Sequence, residues 1–413
     1  MDNNIIKLTI IDQRKVFEEK AKLVRREFPE NLVQTQKITA ITGIRRSGKS
    51  TLLKELSTPY KGYYYLNFED ERLLGFQTSD FNNLLEIFLS LYGEQKVFFF
   101  DEIQNIYGWE KFVTRLFGSG YKIYITGSNS KLLSSELATS LSGRHLKFEL
   151  FPFSFKEFLA YKNFSLKDFY GTKEKALLIK YFNNYFSMGG FPEVVISQDK
   201  NELKQLYQDI LIKDLIVRFK IKEVKSFREL ALFLLSNTGS KISFNNLKKV
   251  LDFNSVTTVK NYTDFLENAY LNFMVPKFDY SLKKQIINDK KIYSIDTGLV
   301  NSVSFAFSPN SGRLLENMVF LELKRRDKEI YYHQDKRECD FLIREGREIT
   351  QALQVTESLS KINQDRELDG LIEAMTKYNL KNGLILTLGQ EEKLKVKEHK
   401  ITILPVWQWL LNH

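Results

Sequence analysis

The stretch Gly43-Ile44-Arg45-Arg46-Ser47-Gly48-Lys49-Ser50-Thr51 decides the fold. It contains the complete G-x-x-x-x-G-K-S pattern, in which the glycines let successive backbone N–H groups point at phosphate oxygens. A β-branched run, residues 37–42, precedes the loop, and a segment of helical periodicity, residues 51–56, follows it. Because a strand, a glycine loop and a helix in this order make the pattern specific, it predicts a phosphate-binding loop.

The pattern also assigns roles to side chains. Lys49 is expected to reach the β- and γ-phosphates of ATP, the Ser50 hydroxyl is expected to bind Mg²⁺, and the dipole of the following helix favours the anion. The predicted nucleotide-binding residues of the loop are Gly43, Arg46, Ser47, Gly48, Lys49, Ser50 and Thr51.

An acidic pair, Asp101-Glu102, ends the apolar run 96–100, which is typical of a strand covered on both faces. Asp101 is expected to hold Mg²⁺ through water, and Glu102 to orient and activate the attacking water. The next strand, residues 122–126, ends at Thr126-Gly127-Ser128-Asn129. Ser128 or Asn129 could position the water there, or the segment could be a simple turn.

Arg144 follows Gly143 and has two interpretations. It could be an arginine finger that stabilises the transferring phosphoryl group of a neighbouring subunit, or an ordinary surface arginine. Spacing alone does not separate the two.

Strands and helices alternate over residues 37–150, which predicts a doubly wound α/β domain. Residues 151–219 are mostly helical, and three amphipathic helices are predicted between 226 and 275. The tail is mixed, with helices at 312–326 and 365–378 and with strands at 329–333, 339–344, 349–355, 383–388 and 401–404. A lead-in helix is predicted over 10–27.

Composition narrows the function classes. The 413 residues include 61 Lys and Arg against 51 Asp and Glu, a net charge of +10 that fits a polyanion partner or simply a soluble surface. The single cysteine, Cys339, excludes a disulfide framework, and four scattered histidines do not suggest a zinc site. Neither a signal peptide nor an 18-residue apolar stretch is present, so a cytoplasmic location without membrane contact is expected.

These motifs together resemble those of prokaryotic AAA+ ATPases that carry a C-terminal domain of unknown function with a restriction-endonuclease-like fold. The resemblance spans nearly the whole chain and is specific as a set. Besides the loop, the matching segments are 100–104, 126–130, 141–144, 151–158, 189–194, 293–299, 316–320 and 338–341.

The resemblance implies an organisation and an assembly. It implies a P-loop AAA+ core over 1–150, a helical lid over 151–222, a winged-helix domain over 223–300 and a nuclease-like α/β domain over 301–413. Members of the family look like ring-forming homo-oligomers, with a hexamer as the expected size, which favours Arg144 as a finger acting in trans. Gly190 and Pro192 are implied to contact the base or ribose.

The predicted winged helix suggests DNA as a partner. Its third helix, near 255–270, carries polar side chains that could reach phosphates and base edges. The candidates are Thr257, Thr258, Lys260 and Asn261 on the helix, and Lys277, Lys283, Lys284, Lys290 and Lys291 on the following wing. The alternative is a protein–protein module with a solvated basic face.

The tail's resemblance to a PD-(D/E)xK nuclease rests on Glu316, Asp340 and Gln354-Val355-Thr356. Such a site gathers carboxylates around a divalent metal and adds a lysine that positions water. Here Thr356 stands at the lysine position and Gln354 replaces a carboxylate, so we expect a degenerate site unless a lysine such as Lys336 or Lys361 substitutes.

Three functions remain at this point. The first is a DNA-binding ATPase that couples hydrolysis to gripping or remodelling DNA. The second is a signalling switch whose ATP state controls protein partners. The third is an ATP-gated nuclease, which the missing lysine disfavours.

Overall fold

A computed structural model describes residues 1–19, 24–129, 143–304, 310–361 and 363–412. The chain divides into two compact units, Met1–Phe151 and Pro152–His413. Within these described residues, no helix is both long and apolar enough to cross a membrane.

The first unit is a parallel sheet with helices along the chain between its strands. Its elements are α1 (Asn3–Glu18), α2 (Asn31–Gln34), β1 (Ile38–Thr42), α3 (Lys49–Ser57), β2 (Tyr64–Asn67), α4 (Phe81–Tyr92), β3 (Val97–Asp101), α5 (Trp109–Gly118), β4 (Lys122–Gly127) and β5 (His145–Glu149). The strand order is β2-β3-β4-β1-β5, and every neighbouring pair is parallel. The predicted α/β core over 37–150 therefore has the expected parallel sheet.

The parallel strands of the first unit bring their carboxyl ends to one edge of the sheet. All residues of β1 and β3 are buried, as their apolar sequences predict for a sheet covered on both faces. Because the strands are parallel, their carboxyl ends meet at one edge. Thr42, Asp101 and Gly127 end β1, β3 and β4 there.

The lead-in helix differs from the prediction over 10–27. It starts at Asn3, with the Asp2 side chain accepting a hydrogen bond from the Asn4 backbone N–H, and it ends at Glu18. Ile6, Ile10 and Phe17 are buried along it. The helix and its buried apolar residues therefore begin about two turns before residue 10, where the prediction placed the start.

The second unit begins with helices. They are α6 (Phe155–Tyr161), α7 (Thr172–Met188), α8 (Pro192–Ser197) and α9 (Asn201–Asp209), which continues as a π-helical segment over Ile210–Val217. The predicted three helices follow as α10 (Val224–Ser236), α11 (Phe244–Val250) and α12 (Val256–Asn268), with the short strand β6 (Lys241–Ile242) between the first two. The predicted helical texture of 151–219 is confirmed.

A small antiparallel sheet completes the three-helix region. Strands β7 (Asn272–Pro276) and β8 (Lys290–Ser294) flank α13 (Leu282–Ile287), and the strand order is β6-β8-β7. The chain then forms α14 (Thr297–Val303).

A six-stranded mixed sheet forms the tail. Its elements are α15 (Ser311–Arg325), β9 (Glu329–Gln334), β10 (Glu338–Glu345), β11 (Glu348–Val355), α16 (Gln364–Lys377), β12 (Asn382–Thr387), β13 (Glu392–Val396), β14 (His399–Pro405) and α17 (Val406–Leu411). The order is β13-β14-β12-β11-β10-β9, with parallel pairing of β12 to β11 and to β14. The predicted tail elements are present, while β13 and α17 were not predicted.

Candidate functional site

The phosphate loop joins β1 to α3 in the conformation that its sequence predicts. Gly48 has a left-handed backbone (φ 96°), which glycine adopts without a steric penalty. A Cβ at Gly43 would lie 2.2 Å from the Leu150 carbonyl oxygen, so only glycine fits this approach. Arg46 also has a positive φ of 61°. The loop therefore combines two glycine-dependent positions with one strained arginine.

Lys49 is the first residue of α3 and points at the acidic strand end. Its Nζ lies 3.1 Å from Glu102 Oε1 and donates to the carbonyl oxygens of Gly43 and Ile44 at 3.2 and 3.3 Å. The Lys49 side chain is 4% exposed, and these contacts neutralise its charge in a buried place. The structure thus brings together the lysine and the glutamate that the sequence assigned to one site.

Asp101 is fully buried, and its carboxylate accepts a hydrogen bond from the neighbouring strand. The Thr126 hydroxyl at the end of β4 donates to Asp101 Oδ1 and accepts from the Glu102 backbone N–H at 2.9 Å. Burial raises the pKa of Asp101 to about 6, and the charge of Glu102 adds to this, against the opposing effects of Ser50, Thr126 and Lys49. The carboxylate is therefore a strong candidate for neutralisation by a cation.

Glu102 is held by three donors. Its carboxylate accepts from Lys49, from the Gln104 side-chain amide and from the Ser128 backbone N–H at 3.2 Å. Burial would raise the pKa of Glu102, but Lys49 and Gln104 outweigh it, and the pKa is lowered. The carboxylate therefore stays ionised, as a group that orients a water molecule must.

Ser128 and Asn129 lie at the carboxyl end of β4, both buried. The Ser128 contact to Glu102 is made by its backbone N–H. Their assignment as residues that position the water stays a prediction. Gln104 was not singled out in the sequence, although its distance of two residues from Glu102 would have pointed to it.

The donor set fits Mg²⁺ and a triphosphate. Asp101 Oδ2 is buried and has no hydrogen-bond partner among the described residues, and the Ser50 hydroxyl lowers the pKa of the Asp101 carboxyl. Ser50 is exposed at the start of α3, where helix N–H groups face outward. Ser50 and Asp101 are therefore the residues that would hold the ion.

Arg26 is a residue of this site that sequence reasoning missed. Its guanidinium is buried and donates to the carbonyl oxygens of Ser47 at 2.6 Å and Phe151 at 2.7 Å, while its backbone N–H donates to Glu55. Arg26 therefore ties the phosphate loop to the segment after β5. No local pattern marks it, because both acceptors are backbone atoms far along the chain.

Arg144 lies at the other edge of the sheet. It is exposed and directly precedes β5, and its carbonyl oxygen accepts from the Ile38 backbone N–H at the start of β1. The phosphate loop follows the end of β1, which is about 13 Å further along the strand at about 3.3 Å per residue. Arg144 is therefore remote from the phosphate loop of its own chain. The preceding residues 130–142, which include part of the 141–144 motif, lie outside the described residues.

Gly190 and Pro192 lie in the second unit, where Pro192 begins α8. The Gly190 N–H donates to Asp296 Oδ2 at 2.7 Å, and its carbonyl accepts from the Phe153 N–H at 2.7 Å. A Cβ at Gly190 would lie 2.3 Å from the Phe153 carbonyl oxygen. Close packing therefore explains this glycine, and its contact with a nucleotide stays a prediction.

Some of the predicted DNA-binding residues are exposed to solvent, and others contact residues of the same chain. Thr257, Lys260 and Asn261 are exposed on α12, whereas the Thr258 hydroxyl is within 3.0 Å of the Ser255 hydroxyl at the start of that helix. Lys283 and Lys284 are exposed on α13, and Lys284 Nζ lies 3.7 Å from Asp279 Oδ2.

Three of the predicted wing lysines have other roles. Lys277 is 3.6 Å from Asp335, Lys290 donates to backbone carbonyls at the end of α13, and Lys291 is fully buried. The expectation that Lys291 faces a phosphate backbone is therefore wrong.

The same segment exposes apolar side chains. Tyr280, Leu282, Ile286 and Ile287 are 60% to 80% exposed. An exposed cluster of large apolar residues next to lysines is typical of a contact surface.

The predicted nuclease-like residues converge around a lysine. Lys291 Nζ is 2.8 Å from Glu316 Oε1 and 2.8 Å from Asp340 Oδ1, and Gln354 Oε1 accepts from the Asp340 backbone N–H. Thr356 is buried at the end of β11. Lys336 and Lys361, considered as substitutes, are exposed and have no described contact with the cluster.

A second group of possible metal ligands, His333, Asp335 and Glu373, lies on β9, the following turn and α16. Its acidic members are already paired, since Lys277 and Lys377 contact Asp335, and Glu373 accepts from His333. We assign no metal to it.

Three family models match the chain. The model described as "AAA domain" matches residues 35–159, and two models described as domains of unknown function, DUF8612 and DUF4143, match residues 179–310 and 311–409.

Two curated proteins are similar over nearly their whole length. The chain is 39% identical to "Uncharacterized protein MJ1544" of Methanocaldococcus jannaschii, covering 100% of this chain and 99% of that protein. It is 32% identical to an "Uncharacterized protein" of Haemophilus influenzae, covering 95% and 100%.

Two solved structures share a weak overall similarity. The replication initiator DnaA bound to AMPPCP and single-stranded DNA is 17% identical, with a TM-score of 0.26 over 58% of this chain and 84% of that one. PCH-2 of C. elegans is 12% identical, with a TM-score of 0.22 over 62% and 68%.

Proposed function

Because the chain belongs to the protein family of MJ1544 and contains an AAA domain, we propose that it is a Mg²⁺-dependent ATPase. Hydrolysis is coupled to binding or remodelling DNA, in a homo-oligomer. The observation that carries the ATPase assignment is the convergence of Lys49, Asp101 and Glu102 at the carboxyl edge of the parallel sheet.

The roles of these residues follow from their contacts. Lys49 and the loop N–H groups bind the β- and γ-phosphates, so phosphate competes with Glu102 for the ammonium group. Ser50 and Asp101 would hold Mg²⁺, which would supply neutralisation of the phosphate charge. Glu102, fixed by Gln104 and Ser128, orients the attacking water and accepts its proton.

DNA binding is supported by two adjacent basic elements. Lys260 and Asn261 lie on the exposed face of α12, and Lys283 and Lys284 lie on α13 between two strands of the small sheet. A helix followed by a hairpin with exposed lysines suits contact with a groove and its flanking phosphates. We propose 223–300 as a winged-helix domain, following an AAA+ core over 1–150 and a helical lid over 151–222.

The test is steady-state ATP hydrolysis with duplex, single-stranded and branched DNA at low and moderate salt. Lys49→Ala is expected to abolish turnover under all conditions, and Lys54→Ala on the same helix is the matched control. We expect one form of DNA to stimulate turnover, with the effect weakening as salt rises because phosphate contacts release counterions.

The same hydrolysis measurements on the double variant Lys283→Ala/Lys284→Ala test whether α13 contacts the DNA. We expect this variant to keep its basal ATPase rate and to need more DNA for half-maximal stimulation. A basal rate that DNA does not change, with no mobility shift at low salt, would rule out the DNA assignment and leave the ATPase assignment intact.

A second candidate is a switch that acts on a protein partner. The exposed apolar cluster of Tyr280, Leu282, Ile286 and Ile287 favours it, because phosphate contacts alone do not require such residues. Slow turnover with retained nucleotide and no effect of DNA is the outcome expected for that function.

A further inference from the structure

We propose that the ammonium group of Lys291 takes the place of a divalent metal ion among the carboxylates of Glu316, Glu338 and Asp340. This part of the tail is then a closed ionic joint and not a metal-dependent nuclease centre. The inference does not depend on the proposed ATPase function, because it concerns a different unit of the chain.

The geometry is that of a cation inside an acidic cage. Lys291 Nζ lies 2.8 Å from Glu316 Oε1, 2.6 Å from Glu338 Oε1 and 2.8 Å from Asp340 Oδ1. Of the three N–H donors of the ammonium group, two donate to Glu316 and Asp340, and Glu338 adds a third carboxylate at ion-pair distance. The Lys291 side chain is 2% exposed, and a charge this deeply buried is retained only when it is paired in this way.

Other donors also bond the carboxylates of the cage. Asp340 Oδ2 accepts from the Val355 N–H at 2.9 Å, and the Tyr293 hydroxyl donates to Glu316 Oε1 at 2.5 Å. Gln354, at the position of a lost carboxylate, accepts from Asp340 N–H and donates to Glu367 at 2.6 Å. A divalent ion needs about six oxygen ligands, and here it would have to displace both the lysine and these internal donors.

The charges keep the lysine in place. Burial alone would lower the pKa of Lys291, but Asp340 and Glu316 outweigh it and raise the pKa well above its usual value. Burial and the charge of Asp340 raise the pKa of Glu316 to about 7, and Lys291 limits that rise. The ammonium and its carboxylates therefore stabilise each other's charged forms.

The joint connects two parts of the chain. Lys291 is on β8 of the small sheet, Glu316 is on α15, and Glu338 and Asp340 are on β10 of the six-stranded sheet. A residue of the small sheet thus supplies a positive charge to the carboxylates of the tail. A lysine that held water for hydrolysis would instead need an open face toward substrate, and this one has none.

The test is Mn²⁺ binding to nucleotide-free full-length protein, measured by electron paramagnetic resonance and by thermal unfolding. Lys291→Ala removes the ammonium and leaves a space lined by three carboxylates. We expect this variant to unfold at a lower temperature than the wild type, to recover part of the loss with Mn²⁺, and to bind one more Mn²⁺ per chain than the wild type does.

Two controls isolate the cage. Lys290→Ala, a neighbouring lysine outside the cage, is expected to gain no Mn²⁺ site. Adding Glu316→Gln and Asp340→Asn to Lys291→Ala is expected to remove both the extra Mn²⁺ and the thermal recovery, because the ligands are gone. Recovery of soluble Lys291→Ala only when Mn²⁺ is present during refolding would support the proposal equally.

Measurements on the wild-type protein can contradict the proposal even if Lys291→Ala does not fold. We expect wild type and Asp340→Asn to bind Mn²⁺ equally, since the lysine excludes it from the cage in both. A Mn²⁺ site in the wild type that Asp340→Asn abolishes would overturn the proposal. So would a folded Lys291→Ala that binds no additional Mn²⁺.

Discussion

Glu102 combines a strained backbone with a fully engaged side chain. Its φ of 49° belongs to the left-handed region, which costs a non-glycine residue on the order of 1 kcal/mol or more. The Thr126 hydroxyl fixes its N–H, and Lys49, Gln104 and Ser128 fix its carboxylate. The neighbouring contacts therefore hold one orientation of the acid, which is what general-base action on a single water requires.

Replacing Gln104 by Leu tests this positioning role. We expect kcat to fall about tenfold, because a hydrogen bond to a charged group contributes about 1.5–3 kcal/mol and one such donor is lost. The dissociation constant for ATP should change little, and the melting temperature should fall by a few degrees. Asn105→Ala, an exposed change in the same turn, is the control. An equal loss in kcat and in nucleotide affinity would assign Gln104 a purely structural role.

The buried carboxyl group of Asp296 predicts how the stability of the protein depends on pH. It is buried between the Gly190 and Leu299 N–H groups, and burial raises its pKa to about 6 from an ordinary 3.8 despite these donors. The folded state therefore binds a proton more tightly than the unfolded state does. Its contribution to stability is fully present below pH 4 and is lost as pH rises through 6, by up to about 3 kcal/mol.

Denaturant unfolding of wild type and Asp296→Asn at several pH values checks this sign. The variant lacks the titrating group, so its deficit relative to wild type should be largest near pH 4 and smaller at pH 7. Asp199→Asn, a surface change, controls for general effects of removing a carboxylate. A deficit that stays constant over this range would contradict the assignment.

At the scale of elements, the sequence predicted what local patterns encode. The loop 43–51, the strand before it and the acidic end of β3 are each read from adjacent residues, and the structure brings Lys49 to Glu102 as expected. Long-range contacts were missed. Arg26 bonds the Ser47 and Phe151 carbonyls, which lie 21 and 125 residues away in the chain, and any residue type can present a carbonyl.

The lysines of residues 277–291 show that the sequence alone does not predict which side chain of a basic segment is buried. In the sequence they form one basic run, yet the structure exposes Lys283 and Lys284, pairs Lys277 with Asp335 and buries Lys291 in an acidic cage. Which lysine turns inward depends on the pairing of β8 with its neighbouring strands, and periodicity within a short segment does not determine that.

Arg26→Lys tests the tie between the loop and the segment after β5. A lysine cannot reproduce the fork of donors that reaches two separate carbonyls, so we expect the loop to loosen and ATP affinity to fall about tenfold. Calorimetric titration of ATP with Mg²⁺ measures this. Arg25→Lys is the matched control, since the Arg25 side chain is 91% exposed. Unchanged affinity in Arg26→Lys would show that the tie does not shape the site.

At the scale of the whole molecule, the proposed oligomer gives Arg144 a place to act. Its own phosphate loop is at the opposite edge of the sheet, so a finger role requires a neighbouring copy. We expect Arg144→Ala to bind ATP normally and to lose about a hundredfold or more in turnover. Comparing equilibrium ATP binding with steady-state hydrolysis separates the two effects.

Mixing two inactive variants tests action in trans. Arg144→Ala keeps Glu102, and Glu102→Gln keeps Arg144, so a mixed assembly contains interfaces in which one copy supplies each group. We expect mixing to restore part of the turnover. No recovery in assemblies shown to exchange subunits would mean that Arg144 serves its own chain or none.

The placement of Arg144 at the far edge of β1 has a further consequence for control. If Arg144 is the proposed finger, a chain alone is an incomplete catalyst, and dilution lowers turnover without any inhibitor. Turnover per chain would then rise with the local number of copies. Any surface that gathers copies, DNA included, would switch the reaction on simply by raising their local concentration.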